Sequence, residues 1–281
     1  MNRALVLAGG GVAGIAWELG VLLGIRDKAP ELRPALVAAD VVVGTSAGSA
    51  VAAQITSGTD LAHLFDRQLD PNSSELEVDL DLEDLWNRLA ATAAGATSPQ
   101  EVRRRIAAFA LAAPTVEEAV RRTAVAGRLP SRVWPDRNLL VPVVDAETGE
   151  LVVFTPDSGV DLVDAVTASC AVPGVWPPAT IGGRRYVDGG VRSGTNADLA
   201  QGSDRVLVIT PSLPDAPAPL EGLADEIERL RPAEVLVVYA DDASVAAFGA
   251  NPLSPATRGP AAQAGRAVGR AHAAEVARFW A

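Results

Sequence analysis

The chain has 281 residues, of which 48% are hydrophobic but only 4% aromatic, enough for one large α/β domain whose core is built from Ala, Val, Leu and Ile. Its formal net charge is −11, with Lys28 the lone lysine, which weighs against nucleic acid as a partner and allows at most weak peripheral contact with an anionic membrane. A single cysteine, Cys170, excludes an internal disulfide and fits a cytoplasmic location.

Ala4 to Ala8 is a short apolar run that stops at three glycines and reads as a buried strand; helical character follows from Ile15 to Asp27. The stretch Ala4 to Ile25 is apolar enough to resemble a signal sequence or a membrane span. Glu18 sits inside it, however, and Gly9, Gly10, Gly11 and Gly14 break its centre, so both readings are rejected. Val41 to Val43 is a second buried strand ending at Gly44, and Ala47 to Ser57 reads as a helix of small residues. Two strand–turn–helix units predict a parallel, helix-covered sheet. Residues 60–135 carry helical patterns at 82–93, 101–113 and 115–126, punctuated by Pro71, Pro99, Pro114 and Pro130, and no strand pattern. They read as a helical insertion covering one end of the sheet, with Arg103, Arg104 and Arg105 on a solvated helix face.

Leu139 to Asp145 and Leu151 to Thr155 form a strand pair joined through Glu147 and Gly149, and Asp161 to Cys170 is a helix stopped before Pro173. Arg184 to Val187 is a short strand leading into Asp188, Gly189 and Gly190. Strands at Arg205 to Thr210 and Glu234 to Ala240 flank a surface loop at 214–219 and a charged helix at 221–229, and an Ala-rich helix spans 261–280. The expected fold is a single α/β domain over 1–281: a three-layer arrangement with a mostly parallel central sheet, helices on both faces, the insertion at 60–135 and the C-terminal helix at 261–280.

Gly44-Thr45-Ser46-Ala47-Gly48 places G-x-S-x-G between a strand and a helix, the setting of a nucleophile elbow. The turn is sharp, so Gly44 and Gly48 must be small; Ser46 then stands above the strand end with a helix N-terminus behind it. A serine nucleophile needs a base. His63 and His272 are the only histidines, and neither lies at a strand end or in a Gly-rich turn. That leaves a carboxylate. Asp188, presented by Gly189 and Gly190, is an ordinary turn residue in isolation and a candidate base in company with the elbow. Gly9-Gly10-Gly11-Val12-Ala13-Gly14 follows the first strand and precedes a helix, so its N–H groups form an anion-binding concavity. It also matches the dinucleotide fingerprint G-x-G-x-x-G, but that fold wants an acidic residue where the second strand here ends in the serine elbow. Cys170 reads as a small buried residue, Asp145 and Glu147 as turn residues, and Asp79, Asp81, Glu83 and Asp84 as a solvated helix start without metal-ligand spacing. No metal and no cofactor is expected.

In order and spacing the segments at 9–14, 44–48 and 188–190, with Ala168-Ser169-Cys170-Ala171-Val172-Pro173-Gly174 ahead of the last, resemble the patatin-like phospholipases over residues 4–210. The resemblance implies an α/β fold, a Ser46–Asp188 dyad and no metal, and suggests that Asn196 braces the Asp188 loop. An oxyanion hole is expected at Gly9, Gly10 and Gly11 with Ala47, supported by Gly14. The expected activity is that of a serine lipid acyl hydrolase working through an acyl-enzyme on a lipid or other acyl ester. An acyltransferase or thioesterase on the same dyad, or a non-catalytic lipid-binding protein, are the alternatives. Many members of that family carry Arg or Lys where this chain has Ala13, which leaves plain acyl esters more open as substrates.

Overall fold

The computed structural model describes residues 1–32, 36–215 and 222–281; most of the loop expected at 214–219 and the start of the helix expected at 221–229 lie outside them. Its centre is an eight-stranded mixed sheet. The strands are β1 (Arg3–Leu7), β2 (Val41–Gly44), β3 (Leu139–Asp145), β4 (Leu151–Phe154), β5 (Ala179–Ile181), β6 (Arg184–Asp188), β7 (Arg205–Thr210) and β8 (Glu234–Tyr239). The spatial order is β5-β6-β3-β2-β1-β7-β8, with β4 also paired to β3. The run β3-β2-β1-β7-β8 is parallel, and β4, β5 and β6 enter antiparallel at the other end.

The alternation along the strands divides the core. Leu5, Leu7, Val42, Leu207 and Ile209 face α1 (Gly11–Lys28), α2 (Ala47–Thr56) and α3 (Leu61–Leu69). Ala4, Val6, Val43, Val206 and Val208 face the other way, onto Leu223 and Leu230 of α8 (Leu223–Leu230) and the turn Ala197–Ala200. The insertion holds α3, α4 (Leu82–Ala93), α5 (Pro99–Ala112) and α6 (Glu118–Arg128), with no strand among its described residues. Side-chain caps start several of these helices: Asp60 accepts from the Ala62 amide, Asp81 from Asp84 and Ser98 from Glu101, with Pro99 in the first turn. Leu85, Leu89, Ile106 and Ala110 pack against Val144, Val187 and Trp176, so α4 and α5 close over the β3–β6 end of the sheet. The remaining helices are α7 (Leu162–Ser169), α9 (Asp242–Phe248) and α10 (Arg258–Trp280).

Helix α1 is apolar nearly all round, which makes it resemble a membrane segment in sequence; it is instead a core helix, buried from Val12 to Ile25 between the sheet and α10. No helix among the described residues is long and apolar enough to cross a membrane. The α1–α10 contact is a reciprocal approach of two backbones. A Cβ on Gly20 or Gly24 would stand 2.2 Å from the carbonyl oxygen of Ala262 or Arg266, and one on Gly265 or Gly269 would stand 2.1 and 2.0 Å from those of Trp17 and Val21. No side chain fits at these four positions without parting the helices.

Several elements differ from the sequence expectation: helix α3 is not among the expected helical patterns, and α6 starts at Glu118 rather than 115. Helix α1 begins at Gly11 rather than Ile15, because the first-turn amides need no partner inside the helix. The strand β5 and the helix α9 are too short to show a period. Replacing Gly269 by Ala should lower stability by about 2 kcal/mol or more, as overpacking of a closed contact typically does. Equilibrium denaturation would register this as a lower midpoint with an unchanged slope.

Candidate active site

Ser46 lies between β2 and α2 with φ 52° and ψ −115°, a backbone conformation that costs a residue with a side chain about 1–3 kcal/mol. Its neighbours hold it there. The Ser46 amide donates to Ser169 Oγ at 3.0 Å, and that hydroxyl in turn donates to the Pro142 carbonyl at 2.8 Å. The Ser46 carbonyl accepts from Ser49 Oγ at 2.6 Å and from the buried Cys170 thiol at 3.2 Å. On either side, the Thr45 amide donates to Leu7 O at 3.0 Å and the Gly48 amide to Ala8 O at 2.9 Å, tying the elbow to β1. The two flanking glycines are required by contact. A Cβ on Gly48 would stand 2.0 Å from the Leu7 carbonyl oxygen, and one on Gly44 2.5 Å from that of Gly48.

Asp188 ends β6, and Ser46 Oγ donates to its Oδ2 at 2.7 Å. Its other oxygen accepts from the Gly190 amide at 2.7 Å, and its own amide donates to Ala171 O at 3.1 Å. Gly189 packs so tightly that a Cβ would meet the Pro142 carbonyl oxygen at 2.4 Å. Asp188 is 4% exposed, and burial pushes its pKa up to about 7 against the pull of the Ser46 and Gly190 hydrogen bonds and of the Arg121 charge. The carboxylate is therefore poised to exchange a proton near neutral pH.

Asn196 stitches the two halves of the site together: its Nδ2 donates to Thr45 Oγ1 at 3.1 Å, to Ser193 O at 2.7 Å and to Gly189 O at 3.3 Å. The buried Glu226 carboxylate holds the same loop by accepting from Thr195 Oγ1 and from the Ala197 amide. Glu226 carries no signal in the sequence beyond one acidic residue on the inner face of α8.

The glycine loop lies beside Ser46. Gly9 is a correction to the expected set of oxyanion donors: its N–H is taken by the Gly194 carbonyl at 2.8 Å. A Cβ there would make only ordinary contact with Ser46, at 3.5 Å from its Cβ. Gly10 precedes α1, Gly11 opens it and Ala47 opens α2, positions whose N–H groups have no acceptor within their helices. Gly14 gives close packing, with a Cβ there 3.3 Å from the Ala47 Cβ.

Of the histidines, His63 is exposed on α3, and His272 on α10 pairs with Glu275 at 3.1 Å; neither enters the site. Among the described residues no group of His, Cys, Asp or Glu is placed to hold a metal ion. The wall opposite the dyad comes in part from the insertion, which supplies Arg121 and Arg128; the sequence pointed to the insertion but not to these two arginines. Arg121, Arg128, Val172, Trp176 and Leu253 surround the small space above Ser46, and that space has a volume of about 10 Å³, close to that of one water molecule. Arg128 reaches a larger polar cavity of about 270 Å³ that also meets Glu75, Gln68 and Arg258.

The chain belongs to the patatin-like phospholipase family: the model of that family, described as "Patatin-like phospholipase", matches residues 5–200. That stretch runs from β1 through the elbow and the Asp188 loop to the turn at Ala200. No curated protein is similar enough to count as a relative. Among solved structures, the chain is similar to VipD from Legionella pneumophila, with 13% identity and a TM-score of 0.47, over 98% of this chain and 67% of that one. It is also similar to the type III effector protein ExoU, with 16% identity and a TM-score of 0.43, over 97% of this chain and 53% of that one.

The strain at Ser46 has a measurable signature. Ser46→Ala and Ser46→Gly both remove the hydroxyl, so they differ mainly in the cost of φ 52°. The glycine variant should be the more stable of the two by about 1 kcal/mol or more, although glycine also gains entropy when unfolded. Denaturant unfolding of the pair checks this; equal stability would mean that the backbone there is relaxed.

Proposed function

We propose that the protein is a serine acyl-ester hydrolase in which Ser46 is the nucleophile and Asp188 the general base. The observation that carries this reading is the 2.7 Å hydrogen bond from Ser46 Oγ to the buried Asp188 carboxylate, beside a glycine loop with N–H groups to spare. Membership of a lipid acyl hydrolase family supports an acyl ester as the substrate.

Ser46 Oγ attacks the ester carbonyl carbon while Asp188 takes its proton. The carbonyl oxygen becomes an oxyanion, and the N–H groups of Gly10, Gly11 and Ala47 face it; one such donor is typically worth about 2.7–4 kcal/mol in a transition state. Collapse breaks the bond to the leaving oxygen, which receives the proton from Asp188 and departs as the alcohol. Water then attacks the acyl-enzyme, giving a proton to Asp188. The carboxylic acid leaves as that proton returns to Ser46 Oγ. Since the space above Ser46 is about 10 Å³, an acyl chain enters by displacing Val172 or Leu253.

Ser46→Ala should abolish both labelling by a fluorophosphonate probe and ester hydrolysis, whereas His63→Ala and His272→Ala retain activity. Labelling at another serine, or loss of activity in a folded histidine variant, would overturn the dyad. Acyl transfer to added alcohols in place of water would identify an acyltransferase on the same two residues.

The raised pKa of Asp188 sets two pH dependences. The base works ionised, so kcat/KM should rise with pH and level off above about 7. Stability runs the opposite way. The folded carboxyl, at about 7, holds its proton more tightly than the unfolded one, near about 3.9, so this group's contribution is full below about pH 4 and is lost as pH rises through about 7. Asp188→Asn should therefore be inactive yet gain stability relative to the parent between about pH 4 and 8, by at most ~4 kcal/mol at ~1.4 kcal/mol per pKa unit. Denaturation midpoints of the two proteins across that range test the sign.

A further inference from the structure

Helix α6 sends two arginines to the space above Ser46, and their situations differ. Arg128 is neutralised: its Nε and Nη2 donate to the two oxygens of Glu75 at 2.6 Å each, in a buried, two-pronged ion pair. Arg121 is 2% exposed, and its Nε and Nη1 are buried with no hydrogen-bond partner. Its guanidinium carbon lies 4.0 Å from the Trp176 ring centroid, so the ring covers one face of the group. It makes no hydrogen bond to the dyad, since both Asp188 oxygens are bonded to Ser46 and Gly190, and it acts on Asp188 through its charge alone.

An unpaired charge buried this deeply is costly, and removing a guanidinium from water without giving its N–H groups acceptors is the expensive part. Among the described residues Arg121 is the buried arginine with two unpartnered guanidinium nitrogens, and it stands in the wall of the catalytic space. The vacant N–H edge of a planar guanidinium matches the two-oxygen face of a phosphate or carboxylate. The glycine loop brings no cation of its own, since Ala13 is a buried methyl group.

We propose that Arg121 is the oxyanion receptor of the catalytic space, gripping an anionic group that the ester carries close to its scissile carbonyl. The proposal rests on the acyl-ester reading of the same site and specifies which esters it takes. Cation recognition here comes from the helical insertion, and Trp176 fixes the plane of the guanidinium.

The test compares monohexanoylglycerol phosphate with neutral monohexanoylglycerol, so that the acyl chain and leaving oxygen are shared. The parent should show a kcat/KM ratio favouring the anionic ester by about tenfold to a hundredfold, the usual worth of a charge-assisted hydrogen bond. Arg121→Met should bring that ratio close to one, while Arg121→Lys keeps part of it. If Arg121 served only to hold Asp188 ionised, the variants would shift the pH profiles of both esters alike and leave the ratio intact, which overturns the proposal. Parent enzyme that prefers the neutral ester also overturns it and requires no variant to fold. Calorimetric titration of Ser46→Ala protein with the same two compounds reads the preference without turnover, so an inactive parent would sink the hydrolase reading alone. Inorganic phosphate separates the sources of the anion. Competitive inhibition that disappears in Arg121→Met shows a receptor for free oxyanion as well, and preference for the anionic ester without such inhibition shows a receptor that needs the anion delivered on the substrate.

Discussion

Ser46 holds a backbone conformation that no isolated serine would choose, and its surroundings are arranged so that it has no other. The amide and carbonyl are both pinned, by Ser169 on one side and by Ser49 and Cys170 on the other. Neither flanking glycine has room for a methyl group, Gly48 because β1 is so close and Gly44 because the first turn of α2 is. Those contacts reach the elbow from β1, from the first turn of α2 and from the end of α7. The parallel strands β1 and β2 fix the elbow, while the antiparallel strand β6 carries Asp188 to it from the far side of β3.

Much of this was legible in the residues themselves. Short apolar runs such as Val41–Val43 can be nothing but buried strands, and the small residues after Ser46 match a turn where backbone meets backbone. The helix stopped before Pro173 and the Asp188 turn were visible for the same reason: glycine and proline punctuate the chain by steric rule. A parallel, helix-covered sheet follows from strand–turn–helix units, and the three-layer order from the family resemblance. What could not be read was whatever depends on who faces whom. The three-residue strand β5 exists through its pairing with β6, and Gly9 looks like any other loop glycine until Gly194 claims its amide.

Arginine shows the limit most clearly. Arg121 and Arg122 are neighbours on α6 and identical in composition, yet Arg122 pairs with Asp164 near the surface and Arg121 is sealed against Trp176. A helical period places two adjacent residues about 100° apart, which is enough to send one to solvent and the other to the reaction space. Period alone could not say which, since α6 packs among irregular segments as well as on α7. Gly20, Gly24, Gly265 and Gly269 are the converse case. Their four-residue spacing in two helices was in plain view, and its meaning as a contact surface needed the two helices side by side.

That contact joins the first described helix to the last, and it bears on the order in which the candidate site is completed. The Ala13 amide is bound to the Pro252 carbonyl, and Leu253 flanks Ser46, on a segment held down by α10. During synthesis the elbow and the Asp188 turn therefore emerge before the segment that closes the glycine loop beside them. The elbow and the Asp188 turn are thus made before Leu253, a residue that walls the space above Ser46.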